Sequence, residues 1–168
     1  MEPDRSEAYD LFVTARWSSL LHLGRLLTGG DRHRAEDLLQ EALVKLWFAW
    51  PRVVDQSPEA YVRKVMVREA ARAARRRWWG ERPAGELPET ALVGDATAEL
   101  DERARLETAL AHLSARQRTA VVLRFYLDLS EVEVAKALGC PLGTARSHAA
   151  RGVARLRKVL VDDVTPVS

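Results

Sequence analysis

Residues 130–160 read SEVEVAKALGCPLGTARSHAARGVARLRKVL. Ser130 followed by Glu133 is a capping box: the serine oxygen can accept from the N–H three residues on, and the glutamate can reach back to the serine N–H. Val132, Val134, Ala135 and Leu138 then place an apolar stripe on a short helix. Gly139 follows the last periodic residue, where a left-handed backbone is cheapest. Pro141 suits the first turn of a second helix, where its missing donor had no partner anyway. From Leu142 to Leu160 the chain carries Arg146, Arg151, Arg155, Arg157 and Lys158 and no acid. A short helix, a glycine turn and a second helix with a basic face make the helix-turn-helix layout, in which the second helix lies in a major groove. An ordinary helical hairpin with a solvated basic face shares this spacing. Against it stands the absence of acids on the second helix, because a merely solvated face usually mixes signs.

The chain has 168 residues, one domain's worth or two small ones, and 47% apolar content allows a packed core. Net charge is only +2, but it is unevenly spread. Residues 1–80 carry 14 bases against 11 acids, residues 81–105 three against seven, and residues 106–161 nine against four. Two basic blocks around an acidic middle suggest two binding surfaces and a linker. The single cysteine, Cys140, excludes a disulfide or thiolate-metal framework within the chain and is expected to pack as a small apolar residue in the helix-turn-helix turn. No apolar run approaches the length of a membrane span, and the N-terminus is acidic. These features predict a soluble cytoplasmic protein with no targeting segment, and there is no internal repeat.

Residues 7–28 predict a helix with a broad apolar face that includes Tyr9, Leu11, Phe12 and Leu20, ended by Gly29 and Gly30 and followed by Asp31 as a cap. Residues 33–50 predict the clearest helix of the first half, with Ala35, Leu38, Leu39, Ala42, Leu43 and Leu46 on one stripe. Asp37, Gln40, Glu41 and Val44 fall on a neighbouring face, either a solvated polar edge or an acidic docking strip for a basic partner. Pro51 is expected to stop this helix, with Arg52–Ser57 as a loop. Ser57 as N-cap and Pro58 in the first turn restart one. Residues 58–79 carry seven bases, Arg63, Lys64, Arg68, Arg72, Arg75, Arg76 and Arg77, against two acids. With Tyr61 and the Trp78–Trp79 pair nearby, this is what a nucleic-acid backbone and its unstacked bases require. The tryptophans are read as core packing at a helix end and the arginines as phosphate contacts. Residues 80–98 have the glycine and proline punctuation of a linker. Beyond it come a helix over 99–112, a second capping box at Ser114 and Gln117, a helix carrying Ala120, Val121, Leu123, Phe125 and Leu127, and a frayed tail from Val164.

Taken together, Leu26–Gly30, Ala35–Ala42, Leu113–Leu129 and Gly139–His148 resemble the extracytoplasmic-function (ECF) sigma factors, small bacterial sigma subunits of RNA polymerase, with wording closest to the actinobacterial sigma-E type. The resemblance covers nearly the whole chain. It implies an all-α fold of two small helical modules, residues 1–80 and 99–168, joined by a flexible linker at 81–98. The first would dock on core RNA polymerase through Asp37, Gln40, Glu41 and Val44. It would also hold the melted strand of the minus-ten promoter element through Tyr61, Arg63, Lys64, Arg68, Arg72 and Arg75. Where the family usually has a tryptophan and an asparagine this chain has Tyr61 and Arg68, so strand contact is retained while the base preference is open. The second module would read the minus-thirty-five element of promoter DNA with Arg146, Ser147, Ala150 and Arg151, with Thr144 and His148 toward the backbone and Arg155 as a further residue binding this element. Ala149 and Ala150 are small where relatives often carry larger residues, so few groups remain for direct readout. An anti-sigma factor is a further partner often found in this group, and no cofactor is implied.

Two other readings compete. A free-standing helix-turn-helix regulator would bind a duplex alone as a dimer, but no dimer helix follows Leu160 and no sensor domain is visible. A helical metal-dependent hydrolase could use His33 and Asp37. However, His22, His33, His112 and His148 are scattered, and there is neither a glycine-rich phosphate loop nor a nucleophile motif.

Overall fold

The computed structural model of the chain describes residues 4–80 and 98–164, without the side chains of residues 77–80, 98–100 and 163–164. Among the described residues every regular element is helical. In order these are α1 (Arg5–Thr28), α2 (Arg32–Val53), α3 (Pro58–Gly80), α4 (Ala98–Ala111), α5 (Ala115–Val121), a π-helical turn (Val122–Tyr126), α6 (Glu131–Leu138) and α7 (Leu142–Val164). Two helical modules, α1–α3 and α4–α7, are present as the sequence predicts. Of the linker expected over 81–98 only Ala98 is described, and it opens α4; of the tail expected from Val164 only Val164 is described, and it ends α7. The packing of Trp78 and Trp79 lies outside the described residues.

In the first module α1 and α2 form a hairpin. Gly29 caps α1 in the left-handed region, and Asp31 caps α2 by accepting from the Arg34 N–H at 3.1 Å. The two helices cross at small residues: a Cβ on Gly24 would meet the Ala35 carbonyl at 3.1 Å. Leu20, Leu23, Leu26, Leu39, Leu46 and Met66 are fully buried between α1, α2 and α3, each stabilising the fold by about 1.5–3 kcal/mol. Leu11 departs from the expected apolar face and is exposed. The amino-terminal half of α1 instead leans on α2 through Tyr9 and Phe12, whose rings pack on Trp47 and Trp50.

Pro51 does not stop α2, which runs on to Val53. A proline inside a helix leaves the carbonyl four residues earlier without its donor. Here that carbonyl belongs to Trp47, and the Arg5 guanidinium donates to it while lying 4.3 Å over the Trp47 ring. A contact from α1, 46 positions earlier in the chain, thus supplies what the proline removes. Ser57 then caps α3, accepting from the Ala60 N–H at 3.2 Å.

Both capping boxes of the second module form. Ser114 and Gln117 exchange bonds of 3.2 and 3.3 Å, and Ser130 and Glu133 exchange bonds of 3.1 and 2.8 Å. Gly139 ends α6 with φ 64°, and Cys140 packs half-buried behind it, as expected. Val132 is exposed, so the inward stripe of α6 is Val134, Ala135 and Leu138. The helix expected to carry Leu123 through Leu127 widens at Val122 into the π turn. That extra residue per turn turns Phe125 and Tyr126 outward while Val122 and Leu123 stay in the core. At the crossing of α5 and α7, a Cβ on Gly152 would lie 2.5 Å from Val121 Cγ2.

The modules do not stand apart. Leu110, Leu113, Val121 and Val122 share one hydrophobic cluster with α1, α2 and α3. Val67 and Ala71 of α3 join a second cluster with Ala120, Leu123, Val134, Ala135, Leu138 and Ala145.

Candidate nucleic-acid interface

Three exposed faces carry the residues singled out in the sequence. The first lies on α2. Asp37, Gln40, Glu41 and Val44 are all exposed, and they follow one another at three- and four-residue spacings on one side of the helix. One turn further, Phe48 is 77% exposed, so the acidic strip ends in an apolar ridge of Val44 and Phe48. Phe48 was missed in the sequence although its spacing from Val44 and Glu41 could have found it. Beside the strip, Lys45 ties α2 to α3: its ammonium lies 3.1 Å from Glu69 and 3.6 Å from Glu41. Burial pushes the Glu69 carboxyl upward, but the Lys45 hydrogen bond and charge, with Arg72 and Arg76, outweigh it and leave the group below its ordinary value.

The second face lies on α3. Arg63, Lys64, Arg68 and Arg72 are exposed along it. Arg63 is held 2.8 Å from Glu59, and Arg72 lies 3.7 Å from Glu69. Exposed pairs of this kind contribute about 0–1 kcal/mol, so a phosphate can displace the carboxylate at little cost. Tyr61, at the start of this face, is half-buried against the first cluster. Arg75 departs from the row. It is half-buried and its guanidinium lies against the helix-turn-helix, where a Cβ on Gly139 would fall 2.6 Å from its Nη1.

The third face is the outer side of α7. Arg146, Ser147, Ala150, Arg151 and Arg155 are exposed and Thr144 is half-buried, while Ala145 and Gly152 point inward. Arg146 is paired with Glu131 at the start of α6, which parks the guanidinium at the mouth of the helix-turn-helix. Glu131 was not anticipated from the sequence, because the pair joins residues on different helices. His148 is turned inward instead of toward a DNA backbone. Its Nε2 is buried with no hydrogen-bond partner, and burial, followed by the charges of Arg116 and Arg151, pushes its pKa down. A neutral ring is therefore favoured at this place. Between α6, α7 and the π turn lies a cavity of about 400 Å³, floored by Val134, Ala149 and Val153 and rimmed by Arg124, Arg146 and Arg157.

No group of three or more metal-ligating side chains is found among the described residues, so His33 and Asp37 have no further ligand beside them there. Nor is any described helix long and apolar enough to cross a membrane.

The described surface thus carries an exposed acidic and apolar strip on α2 and two exposed basic rows, one on α3 and one on the second helix of the helix-turn-helix. Residues 15–80 match the family model of sigma-70 region 2, and residues 103–156 match that of sigma-70 region 4. The chain is 37% identical over 159 residues to the RNA polymerase sigma-E factor of Streptomyces coelicolor, covering 91% of this chain and 86% of that protein. It is 29% identical over 159 residues to the ECF sigma factor SigL of Mycobacterium tuberculosis, covering 90% and 86% of the two chains. Among solved structures it resembles the sigma factor RpoE of Bartonella quintana, crystallised with the anti-sigma factor NepR. The TM-score is 0.62 and the identity 25%, over 92% of this chain and 98% of that one. The chain belongs to the ECF sigma factors of the sigma-70 family.

Proposed function

We propose that this chain binds core RNA polymerase through the α2 strip and directs initiation at promoters with two elements, holding the melted minus-ten strand along α3 and reading the minus-thirty-five duplex with α7. The observation that carries this reading is the separation of labour on the surface. One exposed acidic and apolar strip lies on α2, and two exposed basic rows lie on α3 and α7. Polymerase docking supplies affinity that a short base-reading set cannot, because a second contact made on an already bound partner is effectively intramolecular. On α7 the reading rests on Arg146 and Arg151, since a bidentate arginine–guanine pair discriminates by about 1–3 kcal/mol. His148 contributes by packing. On α3 the row Arg63, Lys64, Arg68 and Arg72 follows the strand, with Tyr61 as the aromatic at its head and Arg75 set aside at the module contact. The role needs no reaction chemistry of its own. An anti-sigma factor, the partner present in the similar Bartonella structure, belongs to the same proposal.

The test is a gel shift on a promoter fragment with and without core polymerase. The protein is expected to form a specific complex only when core is added. Tight, specific binding by the protein alone would instead identify a free-standing regulator.

A further inference from the structure

The one buried arginine of the described residues lies where the modules meet. Arg118 is 6% exposed. Its Nε donates to the Leu27 carbonyl at 3.2 Å, and its Nη1 lies 3.4 Å from the carbonyls of Leu110 and Leu113. Leu27 is in the last turn of α1, and Leu110 and Leu113 are at the end of α4 and just beyond it. The last carbonyls of a helix lack partners within it and carry the negative end of its dipole. One guanidinium therefore satisfies the ends of two helices, one from each module. Burial, with the charge of Arg34 adding to it, pulls the Arg118 pKa down to about 10, so it remains charged. Gly29 makes the approach possible: a Cβ there would lie 2.9 Å from Arg118 Nη1 and 3.0 Å from Ala111 Cα.

This contact is at odds with the function proposed above. The two promoter elements are centred about 25 base pairs apart, which at about 3.4 Å per pair is roughly 85 Å. In the structure α3 packs on α6, and α6 packs on α7. At about 8–10 Å per helix contact, the two DNA-facing helices lie about 20 Å from each other. They cannot serve both elements in this state. The 17 residues 81–97 reach up to about 60 Å at full extension, and together with the modules' own diameters of about 20–25 Å each this chain length accommodates the separation.

We propose that Arg118 is a clasp that holds the two modules closed in the free protein, and that promoter use requires its release. The inference rests on the sigma-factor reading. The closed state lowers the apparent affinity for core polymerase in proportion to the fraction of molecules that are open. Core polymerase therefore competes with the clasp, as would any partner that seats the modules apart. A partner that bridges them while closed would hold the protein inactive.

Two kinds of variant test the clasp in the full chain. Arg118→Met removes the guanidinium, and Ala71→Arg places a charge in the fully buried α3 side of the contact. Both should keep their helical circular dichroism, show a larger radius of gyration by small-angle scattering, and bind core several-fold more tightly. An unchanged radius for Arg118→Met with helicity retained would overturn the clasp. The converse variant locks the contact. A Cβ on Gly30 lies 3.5 Å from the Glu107 Cβ, within the range a disulfide spans. In a Cys140→Ser background, Gly30→Cys with Glu107→Cys should lose promoter-directed transcription more than tenfold when oxidised and recover it on reduction. Equal transcription in both redox states would overturn the proposal, with the reduced form controlling for strain at Gly30. If the wild-type chain itself supports no transcription, the sigma-factor reading fails. Scattering still decides the clasp: a compact wild type beside expanded variants supports it, and equal sizes overturn it.

Discussion

Two glycines on α7 meet opposite surroundings, and the pair offers a sharp test of how the recognition helix is seated. At Gly152 a Cβ would lie 2.5 Å from Val121 Cγ2, 3.1 Å from the Gln117 carbonyl and 3.4 Å from Leu113 Cδ2. Val121 is β-branched and on a helix, so it has essentially one rotamer and cannot swing clear. The Gln117 oxygen is backbone and moves only with α5. Overpacking of this kind costs about 1–3 kcal/mol, against at most about 1 kcal/mol gained from alanine's better helix propensity. Gly152→Ala should therefore destabilise by about 1–2 kcal/mol. At Gly143 nothing lies within 4 Å of a Cβ, so Gly143→Ala should be neutral or stabilise by up to about 1 kcal/mol. Urea unfolding of the full chain, followed by circular dichroism, should lower the midpoint for Gly152→Ala and leave it unchanged or raise it for Gly143→Ala. If Gly152→Ala were as stable as Gly143→Ala, α7 would not cross α5 at Gly152. The placement of Arg146 and Arg151 would then need revision.

Three further outcomes follow from the same geometry. Charge reversal at Asp37 and Glu41 should weaken core polymerase binding at least tenfold in a titration, and Phe48→Ser should weaken it about fivefold or more, as truncation of an interface anchor does; unchanged affinity with an intact fold would remove the docking role. Arg146→Ala and Arg151→Ala should each reduce use of the minus-thirty-five element about 5- to 150-fold, the equivalent of 1–3 kcal/mol, without changing core affinity, and normal promoter use by both would dismiss the assignment. His148 binds protons less readily folded than unfolded, so stability should fall as pH drops through its unfolded value near 6.5 and level off below its folded value. His148→Gln should flatten that part of the curve in urea midpoints measured between pH 7.5 and 5.5, whereas parallel curves would contradict a ring held neutral with its Nε2 turned inward.

Local rules made much of this protein legible before its structure. Both capping boxes, the glycine caps at Gly29 and Gly139 and the Ser57 cap depend on neighbours within a few residues, and each forms. The strip Asp37, Gln40, Glu41 and Val44 is visible because helical spacing alone puts these residues on one side. What escaped depends on contacts between distant segments. Pro51 stays within α2 because Arg5 supplies a donor to Trp47, and nothing near Pro51 announces it. The inward turn of His148 and the outward turn of Phe125 follow from packing and from the π turn, which shifts helical phase without any proline or glycine to mark it. Arg118 reads as one more surface base on an amphipathic helix. Its burial exists only because α1 and α4 end at the same place. The helix-turn-helix was readable for the same reason that the capping boxes were, while the closed contact between modules was not.

The central claim is that one chain brings core polymerase to two-part promoters. Run-off transcription with core polymerase on a genomic library tests it most directly. The account predicts transcripts that depend on adding this protein and whose start sites share one upstream and one downstream element at constant spacing. No protein-dependent transcript, or transcripts with no common pair of elements, would contradict it.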